Sequence, residues 1–113
     1  MKGSKMTRKE QIFAEMTAVY CELSPEEKVI CFSMIEEAAF LKVTLEGLRA
    51  EIADNGCVDD YQNGANQYGK KISASLQSYN QTLKNYYVLM EKITKMFPVT
   101  AAEKMDLLEL MND

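Results

Sequence analysis

Residues 31–52 read CFSMIEEAAFLKVTLEGLRAEI and residues 76–97 read LQSYNQTLKNYYVLMEKITKMF, and the fold follows from setting one against the other. In the first, Cys31, Met34, Ala38, Leu41, Leu45, Leu48 and Ile52 recur at alternating steps of three and four. Leu76, Tyr79, Leu83, Tyr86, Met90, Ile93 and Phe97 repeat that rhythm in the second. Both stripes span 21 residue steps, which is about 31 Å of helix at about 1.5 Å per residue. Seams of equal length can zip, and the 23 residues between Ile52 and Leu76 leave room for the chain to reverse. The pattern predicts an antiparallel hairpin with Ile52 beside Leu76 and Cys31 beside Phe97.

Start and stop signals set the limits of these helices. Ser24-Pro25-Glu26-Glu27 supplies a serine cap, a proline at the first helical position and a glutamate at the third. Asn55-Gly56 supplies the stop, so the first hairpin helix is expected over about 25–54. Ser73 or Ser75 caps the second, which runs over about 74–97 until Pro98 ends it. Ahead of the hairpin, Thr7-Arg8-Lys9-Glu10 has capping-box form and opens a short helix with Ile12, Phe13, Met16, Val19, Tyr20 and Leu23 on one face. Behind it, Thr100-Ala101-Ala102-Glu103 opens a short last helix with Met105, Leu108 and Met111 on one side. The expected architecture is all-α, one helical domain over 1–113, with residues 1–7 flexible and 55–73 a long inter-helix loop. Within that loop Asn63-Gly64 suits a tight turn between short extended runs carrying Tyr61 and Tyr68.

The two halves of the first hairpin helix differ. From Val29 to Val43 apolar residues occupy more than one face, adding Ile30, Phe32, Ile35, Ala39 and Phe40 to the stripe, whereas beyond Val43 the stripe stands alone. One partner helix cannot cover that first half. The first helix, the C-terminal segment or another subunit must do so, and self-association is the usual remedy for surplus apolar surface. A homo-oligomer is the expectation.

Composition narrows the chemistry. Histidine is absent, which removes the commonest general base near neutral pH and the commonest metal ligand. Cys21, Cys31 and Cys57 are odd in number and form no Cys-x-x-Cys pair, so they suggest free thiols rather than disulfides or a zinc site. No apolar run approaches the roughly 20 residues of a membrane span. These features point away from an enzyme, a cofactor and a small-molecule substrate, and toward a protein of the cytoplasm with no membrane partner.

The net charge of −4 is unevenly spread: +3 over residues 1–11, −8 over 12–60, +4 over 61–98 and −3 over 99–113. Such segregation can orient an assembly or a polyanion, and solvated helix faces produce it too. Lys84, Lys92 and Lys95 form a positive strip expected to complement the acidic exterior of the first hairpin helix. Lys2, Lys5, Arg8 and Lys9 gather at the start of the first helix, against the sense of its dipole, and a polyanionic partner is one reason for that placement. Lys70 and Lys71, with Tyr61 and Tyr68, are the other candidates to touch a phosphate backbone or a protein surface. Gly64 to Lys70 also match the start of a phosphate-binding loop, but Lys71 stands where a magnesium-binding hydroxyl belongs and no βαβ unit accompanies it.

The order of these features resembles the small subunit of tailed-phage terminase in its short helical-hairpin form, of phage or prophage origin. The likeness is carried by the Ser-Pro-Glu-Glu start and the long helix ending in Asn-Gly. It continues through Tyr61-Gln62-Asn63-Gly64, Gln67-Tyr68-Gly69-Lys70-Lys71, a serine start, Tyr79-Asn80 through Lys84-Asn85-Tyr86, and the Phe97-Pro98-Val99-Thr100 break. It covers roughly residues 24 to 105. The resemblance implies a non-enzymatic protein of the bacterial host's cytoplasm that forms a homo-oligomer, recognises double-stranded viral DNA and presents it to the terminase large subunit, which holds the ATPase and nuclease. Ala74-Ser75 follow Ser73 where many relatives show proline, and no helix-turn-helix with a basic recognition helix is legible. The alternative is a helical oligomeric adaptor or regulator of a mobile element that binds protein only.

Overall fold

The start signals act as the residues require. In a computed structural model that describes residues 5–56, 58–62 and 68–112, with side chains described outside 57–71, the elements are α1 (Arg8–Val19), α2 (Pro25–Asn55), β1 (Val58–Gln62), β2 (Tyr68–Ile72), α3 (Ala74–Met96) and α4 (Ala101–Asn112). The Thr7 hydroxyl accepts from the Glu10 backbone N–H at 3.1 Å while the Glu10 carboxylate accepts from the Thr7 N–H at 2.7 Å. Ser24 and Glu27 exchange the same pair of bonds, both 3.3 Å, and Thr100 and Glu103 do so at 2.9 and 3.2 Å. Ser73 caps α3 by accepting from the Leu76 N–H at 3.0 Å. Each cap satisfies N–H groups that the first helical turn leaves without partners.

α2 and α3 form the expected antiparallel hairpin, flanked by the two short helices. Arg49 of α2 reaches Tyr79 of α3, with Nη2 donating to the phenol oxygen at 3.3 Å and the guanidinium 5.9 Å from the ring centroid. Those residue numbers sum to 128, the same register that sets Cys31 beside Phe97 and Ile52 beside Leu76. α1 lies along α2 in the opposite direction, since its start meets Glu46 and Glu36 and its end brings Tyr20 against Phe97 with ring centroids 6.3 Å apart. α4 then turns back along α1, and its last turn reaches Lys42 of α2. The result is two layers, α2 with α3 and α1 with α4, that overlap only at one end.

Burial follows from that overlap. At the four-helix end Cys31, Ile35, Ala38, Ala39, Tyr86, Met90, Ile93 and Phe97 are buried together with Ile12, Met16, Tyr20 and Leu107. Farther along, where two helices pair alone, the seam residues Leu48, Ile52, Leu76, Tyr79 and Leu83 are only half-buried. Met34 and Leu41, also on the seam, are half-buried as well. A two-helix rod leaves the back of each seam residue in water, so the same stripe yields a core at one end and a stalk at the other. The stalk makes the molecule long: its extents are 64 × 40 × 23 Å and its radius of gyration is 18.4 Å, against about 13 Å for a compact chain of this size.

One expectation is met and two change. The short extended runs expected to carry Tyr61 and Tyr68 are present, as a two-stranded antiparallel ribbon within the inter-helix segment, with β1 paired to β2 from Val58↔Ile72 to Gln62↔Tyr68. The tight turn at Asn63-Gly64 lies outside the described residues. In α4 the buried position is Leu107, with Leu110 and Met111 half-buried, while Met105 is 58% and Leu108 41% exposed. Leu107 and Leu108 are adjacent, so two stripes one position apart are both available, and packing against α1 and α3 selects the one that keeps Glu103 beside Tyr20. Lastly, Lys95 pairs with Glu91 of its own helix at 3.7 Å instead of with α2, and Lys84 and Lys92 are exposed. Among the described residues, Glu36 and Glu46 of α2 take their partners from α1.

Candidate interaction surfaces

The basic residues at the start of α1 serve partly as docking groups. Arg8 clamps Glu46 through a two-pronged contact, with Nε at 3.1 and 3.2 Å from the two carboxylate oxygens and Nη2 at 2.9 Å. Hydrogen bonding from Arg8 holds the Glu46 carboxyl below its ordinary range, partial burial opposes this, and the charges of Arg8, Lys42 and Arg49 add to the depression. Lys9 lies 3.6 Å from Glu36. Two pairs of opposite charge, each with its cation on α1, help to set the angle of this short helix on α2, and they turn a cluster that opposes the helix dipole into one that faces counter-charge. Lys5 is exposed, and Lys2 lies outside the described residues.

The ribbon holds the remaining candidates by backbone position. Its register sets Tyr61 opposite Gly69, Gln62 opposite Tyr68, Asp60 opposite Lys70 and Asp59 opposite Lys71. The side chains of Tyr61, Tyr68, Lys70 and Lys71 lie outside the described residues. The ladder decides the fate of the glycine–lysine motif: Gly69 and Lys70 sit inside β2, four residues or more before α3 begins at Ala74, whereas a phosphate-binding loop must deliver its glycine and lysine to a helix start. Gly64 lies outside the described residues.

Two grooves open beside α4. One, of ≈ 570 Å³, is lined by Glu15, Ala18 and Val19 of α1 and by Glu103, Asp106, Glu109 and Leu110 of α4. The other, of ≈ 220 Å³, runs between α3 and α4 and is chiefly apolar, with Tyr87, Met90, Leu107, Leu108 and Met111 in its wall. Among the described residues no group of three His, Cys, Asp or Glu side chains is placed to hold a metal ion, and no helix is long and apolar enough to cross a membrane. Cys21 is exposed; Cys31 is buried, and burial, with Glu27 nearby, pushes its thiol up to about 11. A thiol so placed is almost wholly protonated near neutral pH and is a core residue.

Two structural details were not legible in the sequence. Lys42, 2% exposed, lies on the inner side of α2 and donates to the Met111 carbonyl at 3.2 Å, fastening the C-terminal turn of α4, where helix carbonyls lack partners. Its neighbour Leu41 belongs to the seam, so the only hint was a lysine one step from a core position. Arg49 over Tyr79 is the other. The spacing of a basic residue and an aromatic across a hairpin can be found only once the register is known.

Comparison with protein-family models, with curated proteins and with solved structures finds no match to this chain.

Proposed function

We propose that the chain is a non-enzymatic DNA-packaging component of a tailed phage or prophage, a small terminase subunit that self-associates and presents viral DNA to the large subunit. The observation that supports this reading most is the joining of its motif segments. Tyr61-Gln62 and Tyr68-Gly69, separate in sequence, pair across one ladder at the end of the hairpin, followed directly by the Ser73 start. The tip therefore presents the motif's two halves side by side, with Lys70 and Lys71 in the second strand. The test is retardation of phage-end DNA by the full chain across a salt series. Lys70→Glu with Lys71→Glu should weaken binding and flatten the slope of log affinity against log salt by about two. Absence of retardation at low salt removes the DNA role.

A second reading is favoured by the pairing of Arg8 with Glu46 and Lys9 with Glu36, which commits half of the N-terminal cations to the protein's own acidic face. In that reading the chain is a helical adaptor of a mobile element and binds protein only. Charge reversal at Lys70 and Lys71 distinguishes the two, since only the first reading predicts a smaller salt slope.

A further inference from the structure

Among the described residues, the α1–α4 layer covers one face of the hairpin and leaves the opposite face bare. We infer that a second copy of this chain covers the bare face, about a two-fold axis parallel to the helices, so that α2 of each copy lies on α3 of the other. This rests on the self-association proposed above and deepens it by naming the face and the symmetry.

Helical phase identifies the face. α1 meets α2 through Phe32, Glu36 and Glu46, and α4 flanks α3 across a groove walled by Tyr87, Met90 and Thr94. At about 100° per residue these contacts fall on one side of the seam in both helices. On the other side, α2 presents Ile30 and Glu37, one heptad apart and flanked by the seam residues Leu41 and Leu48, and α3 presents a ridge at steps of three and four through Asn85, Leu89, Lys92 and Met96. Ile30 is 52% and Met96 50% exposed, Leu41 and Leu89 are half-buried, and Glu37 and Lys92 are exposed. The face is about 27 Å long and two helices, about 20 Å, wide. Its projected area is therefore on the order of 500 Å², comparable in magnitude with the roughly 800 Å² per partner of an ordinary stable interface.

Charge selects the occupant and the axis. Counting Asp and Glu against Lys and Arg, α2 carries −4 and α3 carries +2. A two-fold axis across the helices would stack α2 on α2, acid on acid. An axis along the helices stacks acidic α2 on basic α3 and leaves every height unchanged. Residues at one level in the hairpin then meet again between copies. By the register of 128, Ile30 is level with Met96, Glu37 with Lys92 and Leu41 with Leu89, each within about 3 Å along the axis. The contacts form an apolar rung, a charged rung of opposite signs and a second apolar rung. All four helices in the bundle are antiparallel to their neighbours, the arrangement that helix packing favours.

The experiment measures the mass of the full-length chain by light scattering and sedimentation equilibrium, with helicity monitored by circular dichroism. The wild type should have twice the 12.8 kDa chain mass, or an even multiple of it. Glu37→Lys and Lys92→Glu, each exposed, should each weaken self-association by about tenfold or more with helicity unchanged, and the double reversal should restore it. Ile30→Lys should weaken it likewise. A wild type that is monomeric at tens of micromolar overturns both self-association and this face. An oligomer with an odd number of chains, or one indifferent to all these substitutions, overturns the face and axis while leaving self-association standing.

Discussion

Tyr20 and Tyr86 are 3% and 1% exposed, and their hydroxyls find no partner among the described residues. Burial pushes both phenols up to about 12 from an ordinary value of 10.0, with smaller repulsion from Cys31 and Glu103 at Tyr20 and from Tyr87 and Glu46 at Tyr86. A group whose pKa is raised on folding loses its contribution as pH climbs from the unfolded value to the folded one. Stability should therefore fall between pH 10 and 12, by up to about 1.4 kcal/mol per pH unit for each ring. Tyr86→Phe should be neutral or stabilising by up to about 1 kcal/mol at pH 7, because it removes a buried hydroxyl without a partner. It should also halve the alkaline slope, which urea melts at pH 7 and 11 can check. Glu46 works in the opposite direction. Its carboxyl is depressed, so its contribution is present above the ordinary value of 4.5 and disappears as pH falls through the folded value. Because the Arg8 side chain is 44% and the Glu46 side chain 27% exposed, the pair should contribute only about 0.5–1 kcal/mol in a double-mutant cycle, and less in high salt.

At the scale of elements, Gly56 governs the handover from α2 to the ribbon. Its N–H donates to the Ile52 carbonyl at 2.7 Å and its backbone lies at φ 84, ψ 179, a region open essentially to glycine. A Cβ at Gly56 would meet no atom within 4 Å, so the cost of Gly56→Ala is that of the backbone alone, about 1–3 kcal/mol. Thermal melts of that variant would show it; an unchanged midpoint would mean that the junction relaxes freely. Gly56 was readable in advance because Asn-Gly after a heptad run is a stop signal that depends only on local sequence. Capping boxes at Thr7, Ser24 and Thr100 were readable for the same reason. The buried face of α4 was not, because Leu107 and Leu108 offer two stripes and only the neighbours decide between them. Pairing of the α1 cations with Glu36 and Glu46 was also hidden. It depends on the crossing of α1 over α2, which no periodicity encodes. Of the candidate contacts, the sequence supplied residue type and order, while the ribbon register that joins Tyr61-Gln62 to Tyr68-Gly69 became clear only in the structure.

At the scale of the molecule, the overlap of four helices at one end and two at the other divides stability unequally. Ile93 is 0% exposed within the four-helix end, so Ile93→Ala should cost about 2–5 kcal/mol. Leu48, half-buried in the stalk, should cost clearly less on truncation to Ala, since much of its surface is already wet. Amide exchange would read the same gradient, fastest in α2 beyond Leu48 and in the facing turns of α3, slowest around Ile35 and Met90. Uniform protection along α2 would contradict the division. One continuous rod, α2, runs 31 residues from the Ser24 cap to Gly56 without proline or break after its first position. A rod of this kind is a crank: a load that turns the ribbon by one helical step turns the surface at Ile30 and Glu37 with it, so in the proposed pair of copies the tip and the paired face move as one.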